Sequence, residues 1–134
     1  MKHHKFSQRS LDRLKGVHPD LVSVCHEAIQ ISPFDFGITC GVRTKEEQAE
    51  LYAQGRTKPG KIVTWTLDSR HLTGRAIDFV VYLNGKVTWE EKYYDRVADA
   101  FIVSALKLNI PITWGGSWKR PDRPHVELNK AFYP

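Results

Sequence analysis

Hydrophobic residues in the first third of the chain recur at the spacing of one helix face. They occupy the i, i+3, i+4, i+7 and i+8 positions of a single run, which are Leu21, Val24, Cys25, Ala28 and Ile29. This period predicts an amphipathic helix that begins at Pro19, a favourable first-turn residue, and continues to about Gln30. A shorter helix is predicted from about Ser7 to Lys15, and Gly16 is expected to end it.

The next segment predicts a strand followed by a helix. The strand is expected over Phe36–Cys40, and Thr44 with Glu47 has the pattern of a capping box that starts a helix ending near Gln54. Arg43 therefore lies at a strand-to-helix junction, where side chains commonly face a cleft. A solvated arginine is the alternative interpretation.

A long polar segment separates this helix from the next strand. Residues 56–68 are interrupted by glycine and proline, which predicts a loop that covers a site as a flap. Ala76–Tyr82 is strand-like, and Asn84–Gly85 is a strong hairpin signal. Alternation places Asp78 on one face of the strand. The opposite, core-facing side consists of Ile77, Phe79 and Val81.

The remaining hydrophobic pattern predicts the main core helix and two final strands. Thr88–Glu91 has the pattern of a second capping box, and an apolar stripe follows it. The stripe consists of Tyr94, Val97, Ala98, Phe101, Ile102, Ala105 and Leu108. Strands are predicted over Pro111–Trp114 and His125–Leu128, on either side of a turn at Gly115–Gly116.

These elements predict an α+β fold in which a small antiparallel sheet packs against several helices. No repeat or linker divides the 134 residues, so residues 1–134 are expected to form one domain. Hydrophobic residues make up 41% of the chain and charged residues 26%, which are ordinary values for a soluble globular protein.

The net charge of +5 favours an anionic partner, such as nucleic acid, an acidic membrane face or bacterial cell wall. Basic residues are scattered without the run that a nucleic-acid arm shows, so no nucleic-acid role is expected. Met1–Ser10 lacks the apolar stretch of a signal peptide, and no apolar run reaches the ~20 residues that span a bilayer. We expect a product made in the cytoplasm, without stable membrane insertion, that needs another factor to release it.

Thiol chemistry is not expected from the two cysteines. Cys25 and Cys40 do not form a C-x-x-C pair, and Cys25 lies on the predicted buried helix face. His26 follows Cys25, but adjacent residues on a helix point in different directions and cannot form a nucleophile pair.

Two histidines and one aspartate have the side chains of a hydrolytic zinc site. If the strand of Asp78 and the last strand are neighbours, His71, Asp78 and His125 supply three ligands and leave a fourth position for water. A charged Asp78 among apolar neighbours needs a partner, and Arg75 is the alternative to a metal ion. Either histidine alone is more simply explained as an ordinary polar residue, so the combination is the argument.

Asp122 precedes His125 by three residues, within reach of a metal-bound water rather than of the metal. A carboxylate there would act as general base and pass the proton to the leaving amine. A salt bridge from Asp122 to Lys119, Arg120 or Arg123 is the alternative interpretation.

Further polar and aromatic residues fit the same chemistry. Arg43 is suited to bind a substrate carboxylate or an oxyanion, because its guanidinium is a planar fork. Ser69 would orient substrate or support the ligands, although a turn serine is nearly as good an interpretation. Trp114 and Trp118 would line a substrate groove or pack in the core.

The motifs that unite these residues are Ser69-x-His71-x-x-Gly74-x-Ala76-x-Asp78, Asp122-x-x-His125 and Gly41-Val42-Arg43-Thr44. From about Phe6 to Leu128 the chain resembles the zinc peptidases that cut peptidoglycan stem peptides. That group includes the D-Ala-D-Ala carboxypeptidases and dipeptidases of vancomycin resistance and the phage endolysins that are L-alanyl-D-glutamate endopeptidases. The resemblance implies one catalytic Zn²⁺ held by His71, Asp78 and His125. It also implies that Asp122 is the catalytic base and that Arg43 is an electrostatic helper.

Within this group the chain most resembles the phage endolysins, because it is small and because many carboxypeptidases have glutamate where Asp122 stands. The resemblance implies a zinc endopeptidase that hydrolyses the L-Ala-D-Glu bond during host lysis. We expect a monomer, without a separate wall-binding domain. A D-Ala-D-Ala carboxypeptidase and a non-catalytic zinc-containing wall-binding module are the alternatives. Residues 117–122 are short and basic, unlike the acidic calcium loop of some phage relatives, so calcium regulation is not expected.

Overall fold

The structure, a computed structural model, describes residues 4–134, in which helices and strands are interspersed along the chain. The helices are α1 (Gln8–Arg13), α2 (Pro19–Ile31), α3 (Lys45–Ala53) and α4 (Glu91–Leu108). The strands are β1 (Asp35–Cys40), β2 (Ala76–Leu83), β3 (Lys86–Thr88), β4 (Ile112–Trp114) and β5 (His125–Leu128). The predicted α+β class is confirmed. Met1–His3, part of the segment inspected for an export signal, lie outside the described residues.

Local side-chain chemistry fixes where the N-terminal helices begin. Thr44 and Glu47 form both hydrogen bonds of the predicted capping box at the start of α3. Helix α2 has Pro19 in its first turn, and His18 Nδ1 accepts a hydrogen bond from the backbone N–H of Asp20. These caps satisfy N–H groups that have no partner within the helix.

The second predicted capping box is wrong. Thr88 belongs to β3 and its hydroxyl accepts from the backbone N–H of Glu90, while α4 begins at Glu91 without a side-chain cap. The predicted stripe of α4 is also displaced at its C-terminal half. Ile102 and Leu108 are exposed, whereas Ala100 and Ser104 are buried.

The sheet is antiparallel, with β2 at its centre between β1 and β5, and with β4 outside β5. Strand β3 pairs with β2 through the hairpin at Asn84–Gly85, where both residues have positive φ as a tight two-residue turn requires. The register places Asp78 of β2 directly opposite His125 of β5. The sheet therefore brings together two residues that are far apart in the sequence.

The core lies between the sheet and the helices α2 and α4, which pack against each other. Phe36, Phe79 and Phe101 form an aromatic cluster with ring centroids 5.2–5.8 Å apart. Each buried aromatic side chain of this kind stabilises the fold by roughly 1.5–3 kcal/mol. The core fixes β2, and β2 in turn fixes the position of Asp78.

The predicted loop over residues 56–68 contains no helix or strand in the described structure. An isolated bridge between Gln54 and Lys58 closes its base, and Trp65 at its far end is mostly exposed. Among residues 4–134, none of the helices combines the length and the apolar character needed to cross a membrane.

Candidate active site

A cavity of about 1070 Å³ opens at the end of the sheet where β2 and β5 meet the 3-10 helix Arg70–Thr73. The flap loop and residues 118–122 both line it, and they meet where the guanidinium of Arg120 lies 3.9 Å from the ring centroid of Trp65. The floor contains His71, Asp78 and His125, so the three predicted ligands share one cavity.

Asp78 is the point on which the two histidines converge. Its Oδ1 lies 3.4 Å from His71 Nε2 and 3.2 Å from His125 Nδ1. The two imidazole rings are 5.2 Å apart between centroids and nearly perpendicular. Each histidine therefore directs one ring nitrogen at the same carboxylate oxygen.

The orientation of His71 is set by the backbone around it. Its Nδ1 lies 2.8 Å from the carbonyl oxygen of Gly41, and since a carbonyl only accepts, Nδ1 carries the proton. Its backbone N–H donates to the hydroxyl of Ser69, and Gly74 ends the turn in the left-handed region at φ 69°. When His71 is neutral, as metal binding requires, the lone pair is therefore on Nε2, the nitrogen that faces Asp78.

The orientation of His125 is set by a carboxylate. Its Nε2 lies 2.9 Å from Oε1 of Glu127, which is buried two residues further along β5. The carboxylate oxygen accepts from Nε2, so when His125 is neutral, as metal binding requires, the lone pair is on Nδ1, the nitrogen that faces Asp78. The two imidazoles thus have fixed tautomers with their free nitrogens on the same side.

The buried charges change the ionisation of all three groups. Burial opposes ionisation of Asp78, but its hydrogen bonds to His125 and His71 outweigh it and lower the pKa of Asp78 well below the ordinary value. Burial would lower the pKa of His71, but its contacts with Asp78 and Cys40 raise that pKa to about 10. Burial would also lower the pKa of His125, but its hydrogen bonds to Asp78 and Glu127 outweigh burial and raise that pKa. The cluster therefore favours a cation beside Asp78.

The donor set fits a zinc ion. Two neutral-imidazole nitrogens and one carboxylate are ligands that zinc prefers, and each imidazole has its other nitrogen bound to an acceptor, as metal-binding histidines usually do. Ligand atoms of Asp78, Asp122 and His125 lie within 4.8 Å of one another, and so do those of Cys40, His71 and Asp78. The second group includes a thiol that the sequence did not indicate.

Cys40 contacts His71 at the ring nitrogen that does not face Asp78. Its Sγ lies 3.7 Å from His71 Nδ1, the nitrogen that donates to Gly41, and 3.3 Å from Nη2 of Arg43. Burial opposes its ionisation, but the contacts with His71 and Arg43 lower its pKa. The strand irregularity between Ile38 and Cys40 turns this side chain toward the site.

Asp122 lies on the wall of the cavity, exposed to it. Its backbone N–H donates to Gly115 and its carbonyl accepts from His125, which fixes the loop beside the ligands. Burial and the negative charge of Asp78 raise the pKa of Asp122. Among the described residues it makes no salt bridge to the basic side chains nearby, since Arg123 pairs with Glu91 and Asp95 instead.

Arg43 points into the cavity and is largely buried. Its Nη2 lies 3.6 Å from Oδ2 of Asp78, so Arg43 takes the place expected for Arg75, which donates to the carbonyl of Thr73. Its Nη1 donates to the amide oxygen of Gln48 at 2.7 Å. Gln48 is fully buried and also holds the flap through the carbonyl of Thr66.

The remaining predicted residues divide between the cavity and its support. Ser69 lines the cavity and caps His71. Trp118 also lines the cavity, with its ring 5.0 Å from that of His125. Trp114 packs against the core and its indole N–H donates to the carbonyl of Arg123.

Sequence reasoning missed four polar residues around the ligands, which are Cys40, Gln48, Arg70 and Glu127. The period-two spacing of His125 and Glu127 was the one available signal, because it places both on the same face of a strand. The other three depend on contacts between segments distant in the sequence.

A family profile and three known proteins match the chain over nearly its full length. The profile described as phage L-alanyl-D-glutamate peptidase matches residues 2–134. The L-alanyl-D-glutamate peptidase of Escherichia phage T5 is 34% identical over 133 residues, which cover 96% of this chain and 92% of that protein. The peptidoglycan L-alanyl-D-glutamate endopeptidase CwlK of Bacillus subtilis (strain 168) is 34% identical over 142 residues, which cover 96% and 84%.

The fold has a solved counterpart. The crystal structure of the Serratia marcescens L-Ala D-Glu endopeptidase ChiX matches with a TM-score of 0.88 and 39% sequence identity. The match covers 99% of this chain and 96% of that chain. The similar sequences and the similar structure are therefore all L-alanyl-D-glutamate peptidases or endopeptidases.

Proposed function

The chain belongs to the phage L-alanyl-D-glutamate peptidase family, and we propose that it is a zinc-dependent endopeptidase that hydrolyses the L-Ala-D-Glu bond of peptidoglycan. The family supports the peptidoglycan peptidase activity. The observation that supports a metal is the convergence of two tautomer-fixed imidazoles on one oxygen of Asp78.

His71, Asp78 and His125 are the residues that would hold the zinc ion. His71 would use Nε2 and His125 would use Nδ1, because their other nitrogens already donate to Gly41 and Glu127. A bound zinc ion would act as a Lewis acid toward the substrate carbonyl and lower the pKa of water. Cys40 is a weaker candidate, since it faces the nitrogen of His71 that is bound to Gly41.

Asp122 would act as the general base and acid. Its carboxylate lies on the cavity wall within 4.8 Å of ligand atoms of Asp78 and His125, and among the described residues it forms no salt bridge with a lysine or arginine. It would accept the proton of the attacking water and pass it to the amine released from the cleaved bond. The raised pKa of Asp122 suits this transfer, because a base closer to the working pH is more effective.

Arg43 would bind the developing negative charge of the substrate or one of its carboxylates. The guanidinium is fixed on one edge by Gln48 and lies beside Asp78, so it faces the reacting centre with a defined orientation. A donor fixed before the reaction stabilises charge more effectively than a mobile one. Ser69 would contribute mainly by capping His71, and secondarily as a donor to substrate.

The cavity rim has the charge expected for an acidic stem peptide. Lys119, Arg120 and Lys130 line it, and the net charge of the chain is +5. Long-range attraction of this sign would bring the protein to cell wall, where the named relatives act on peptidoglycan. We further propose that residues 1–134 act as one monomeric catalytic domain, released from the cytoplasm by a separate factor.

The test is a digest of purified peptidoglycan by the zinc-loaded protein, followed by mass spectrometry of the new termini. A free amine on D-Glu with L-Ala as the new carboxyl terminus is the expected result. Loss of terminal D-Ala alone would assign the protein to the carboxypeptidases instead. Binding to wall without any released peptide would assign it to the non-catalytic modules.

A further inference from the structure

We propose that Glu127 and Arg70 form a buried positioning pair that holds His125 in the tautomer and orientation required for zinc binding. The inference rests on the proposed function, because it concerns one ligand of the same site. Neither residue is expected to contact the reacting atoms. Their effect passes through His125, whose Nε2 lies 2.9 Å from Oε1 of Glu127.

The hydrogen bond between His125 and Glu127 selects the tautomer of His125. A neutral imidazole has one N–H and one lone pair, and the partner of the N–H decides which nitrogen is free to bind a metal. Glu127 accepts from Nε2, so the lone pair is on Nδ1, 3.2 Å from the Asp78 oxygen. Removing the acceptor would allow the other tautomer, in which Nδ1 carries the proton.

Glu127 is held in a fixed position by the sheet. Its backbone lies within the sheet, paired with Ala76 of β2 on one side and with Thr113 of β4 on the other. The residue is only 6% exposed. A carboxylate buried to this degree needs cationic or hydrogen-bonding partners to offset the loss of its hydration. His125 supplies one and Arg70 supplies the other.

Arg70 is anchored by Glu127 and by two backbone carbonyls. Its Nε lies 3.5 Å from Oε2 of Glu127 and makes no hydrogen bond among the described residues, so this contact is an ion pair. Its Nη2 donates to the carbonyl oxygens of Leu128 at 2.9 Å and Tyr133 at 2.7 Å. The two backbone carbonyls therefore hold the guanidinium in place beside the carboxylate of Glu127.

Arg70 also connects the two segments that supply the imidazoles. It is the residue before His71 in the 3-10 helix, while Glu127 follows His125 by two positions in β5. The ion pair therefore joins the two segments that carry the imidazoles, in addition to the contacts that both imidazoles make with Asp78. The C-terminal residues contribute too, since Tyr133 gives its carbonyl to Arg70 and its hydroxyl to Asp20.

The test compares E127L with E127Q. Leucine has a similar volume and no acceptor, whereas glutamine keeps an oxygen that accepts from Nε2. Zinc affinity is measured by competition with a chromophoric chelator, using zinc alone as the probe. Loss of a residue that orients a ligand weakens metal binding about 10- to 100-fold, which is the expectation for E127L, while E127Q should remain within about threefold of the wild type.

Imidazole ¹⁵N NMR provides a readout that a purely structural role would not change. In the zinc-loaded wild type and in E127Q, His125 should show a proton on Nε2 that exchanges slowly. In E127L this proton should exchange rapidly or move to Nδ1 in the zinc-free protein. E46L is the matched control, because Glu46 is exposed and distant from the cavity lining.

The arginine is tested by R70K against R75K. Lysine keeps the charge but cannot donate to Leu128, Tyr133 and Glu127 from one planar group. R70K should weaken zinc binding several-fold, whereas R75K, which changes an arginine bonded to the carbonyl of Thr73, should leave it unchanged. This pair keeps the proposal testable if E127L does not fold.

The outcomes separate this proposal from the proposed function. Wild-type protein that binds zinc, with E127L and R70K binding it equally well, overturns the positioning pair and leaves the zinc peptidase intact. Wild-type protein that binds no zinc overturns both. Weaker binding in E127L that E127Q restores supports the pair.

Discussion

Nη1 of Arg43 donates a hydrogen bond of 2.7 Å to the side-chain oxygen of Gln48, a residue that is fully buried. The amide nitrogen of the same Gln48 donates to the carbonyl of Thr66 at 2.6 Å. One buried amide therefore connects the proposed electrostatic helper to the flap. Since a guanidinium only donates and a carbonyl only accepts, the orientation of the amide is unambiguous.

Replacing Gln48 by leucine should misplace Arg43 and loosen the flap together. Leaving buried polar groups without partners costs about 1–3 kcal/mol each, so Q48L should unfold at a lower temperature. Its kcat for stem-peptide cleavage should fall about 10- to 100-fold, because a small displacement of a charge-stabilising donor has effects of that size. Thermal unfolding and steady-state kinetics measure the two effects.

A glutamate at the same position should separate those effects. Q48E keeps an acceptor for Arg43 but cannot donate to Thr66, so kcat should be largely retained while KM rises. Q54L is the control, because Gln54 donates to the carbonyl of Lys61 at the base of the flap loop and does not contact Arg43. Equal kcat in Q48L and the wild type would contradict the assignment.

Replacing Asp122 by asparagine should abolish turnover while zinc remains bound. The amide is isosteric but cannot take a proton, and loss of a general base lowers the rate about 10²- to 10⁴-fold. D68N is a suitable control, since Asp68 is an exposed carboxylate on the same cavity that belongs to neither metal-binding group. If D122N lost zinc as well as activity, Asp122 would be a ligand rather than the base.

Zinc affinity should rise with pH through the neutral range. The pKa of His71 is raised to about 10 in the metal-free protein, so its imidazole is protonated at neutral pH and must lose that proton to bind metal. The pKa of His125 is raised too, while that of Asp78 is lowered, so Asp78 is already ionised and releases nothing. Apparent affinity should therefore increase by up to about tenfold per pH unit for each proton displaced.

Calorimetry of zinc binding in two buffers of different ionisation enthalpy would count the released protons directly. Between one and two protons per zinc ion are expected near neutral pH. Affinity that does not change between about pH 6 and about pH 8 would show that both imidazoles are neutral before the metal arrives.

The hydrophobic pattern predicted the scaffold because the relevant signals are local. The apolar face of α2 and the capping box of Thr44 and Glu47 depend on residues within two helical turns. Thr88–Glu91 shows where local signals fail, since the hairpin continues the β-structure to Thr88 and displaces the helix start to Glu91. A cap motif cannot reveal that its first residue is already paired in a sheet.

The proposed ligands were predictable and their supports were not. His71, Asp78 and His125 have unusual spacing and the right chemistry, so the sequence indicated them before any contact was known. Gln48 and Arg70 have ordinary side chains whose roles arise from distant partners, Thr66 and Tyr133 among them. Cys40 reaches the site through a strand irregularity that no sequence period encodes.

The loop that carries Asp122 gives a last prediction, which concerns Gly115. A Cβ added there would lie 2.3 Å from the carbonyl oxygen of Asp122 and 3.0 Å from Cβ of His125. Backbone atoms cannot move aside as a flexible side chain would, so G115A should displace Asp122 from the cavity wall. Overpacking of this kind costs about 1–3 kcal/mol of stability, and turnover should fall about 10²-fold as the base moves.

G85A separates this displacement from a general loss of stability. Gly85 has positive φ in the β2–β3 hairpin, and a Cβ there meets nothing within 4 Å, so the substitution strains only the turn. Its stability should fall by about 1 kcal/mol with kcat unchanged, because the hairpin lies away from the cavity lining. If G115A and G85A lost activity to the same extent at equal folded fraction, the position of Asp122 would not limit turnover, and the base would have to be sought elsewhere on the cavity wall.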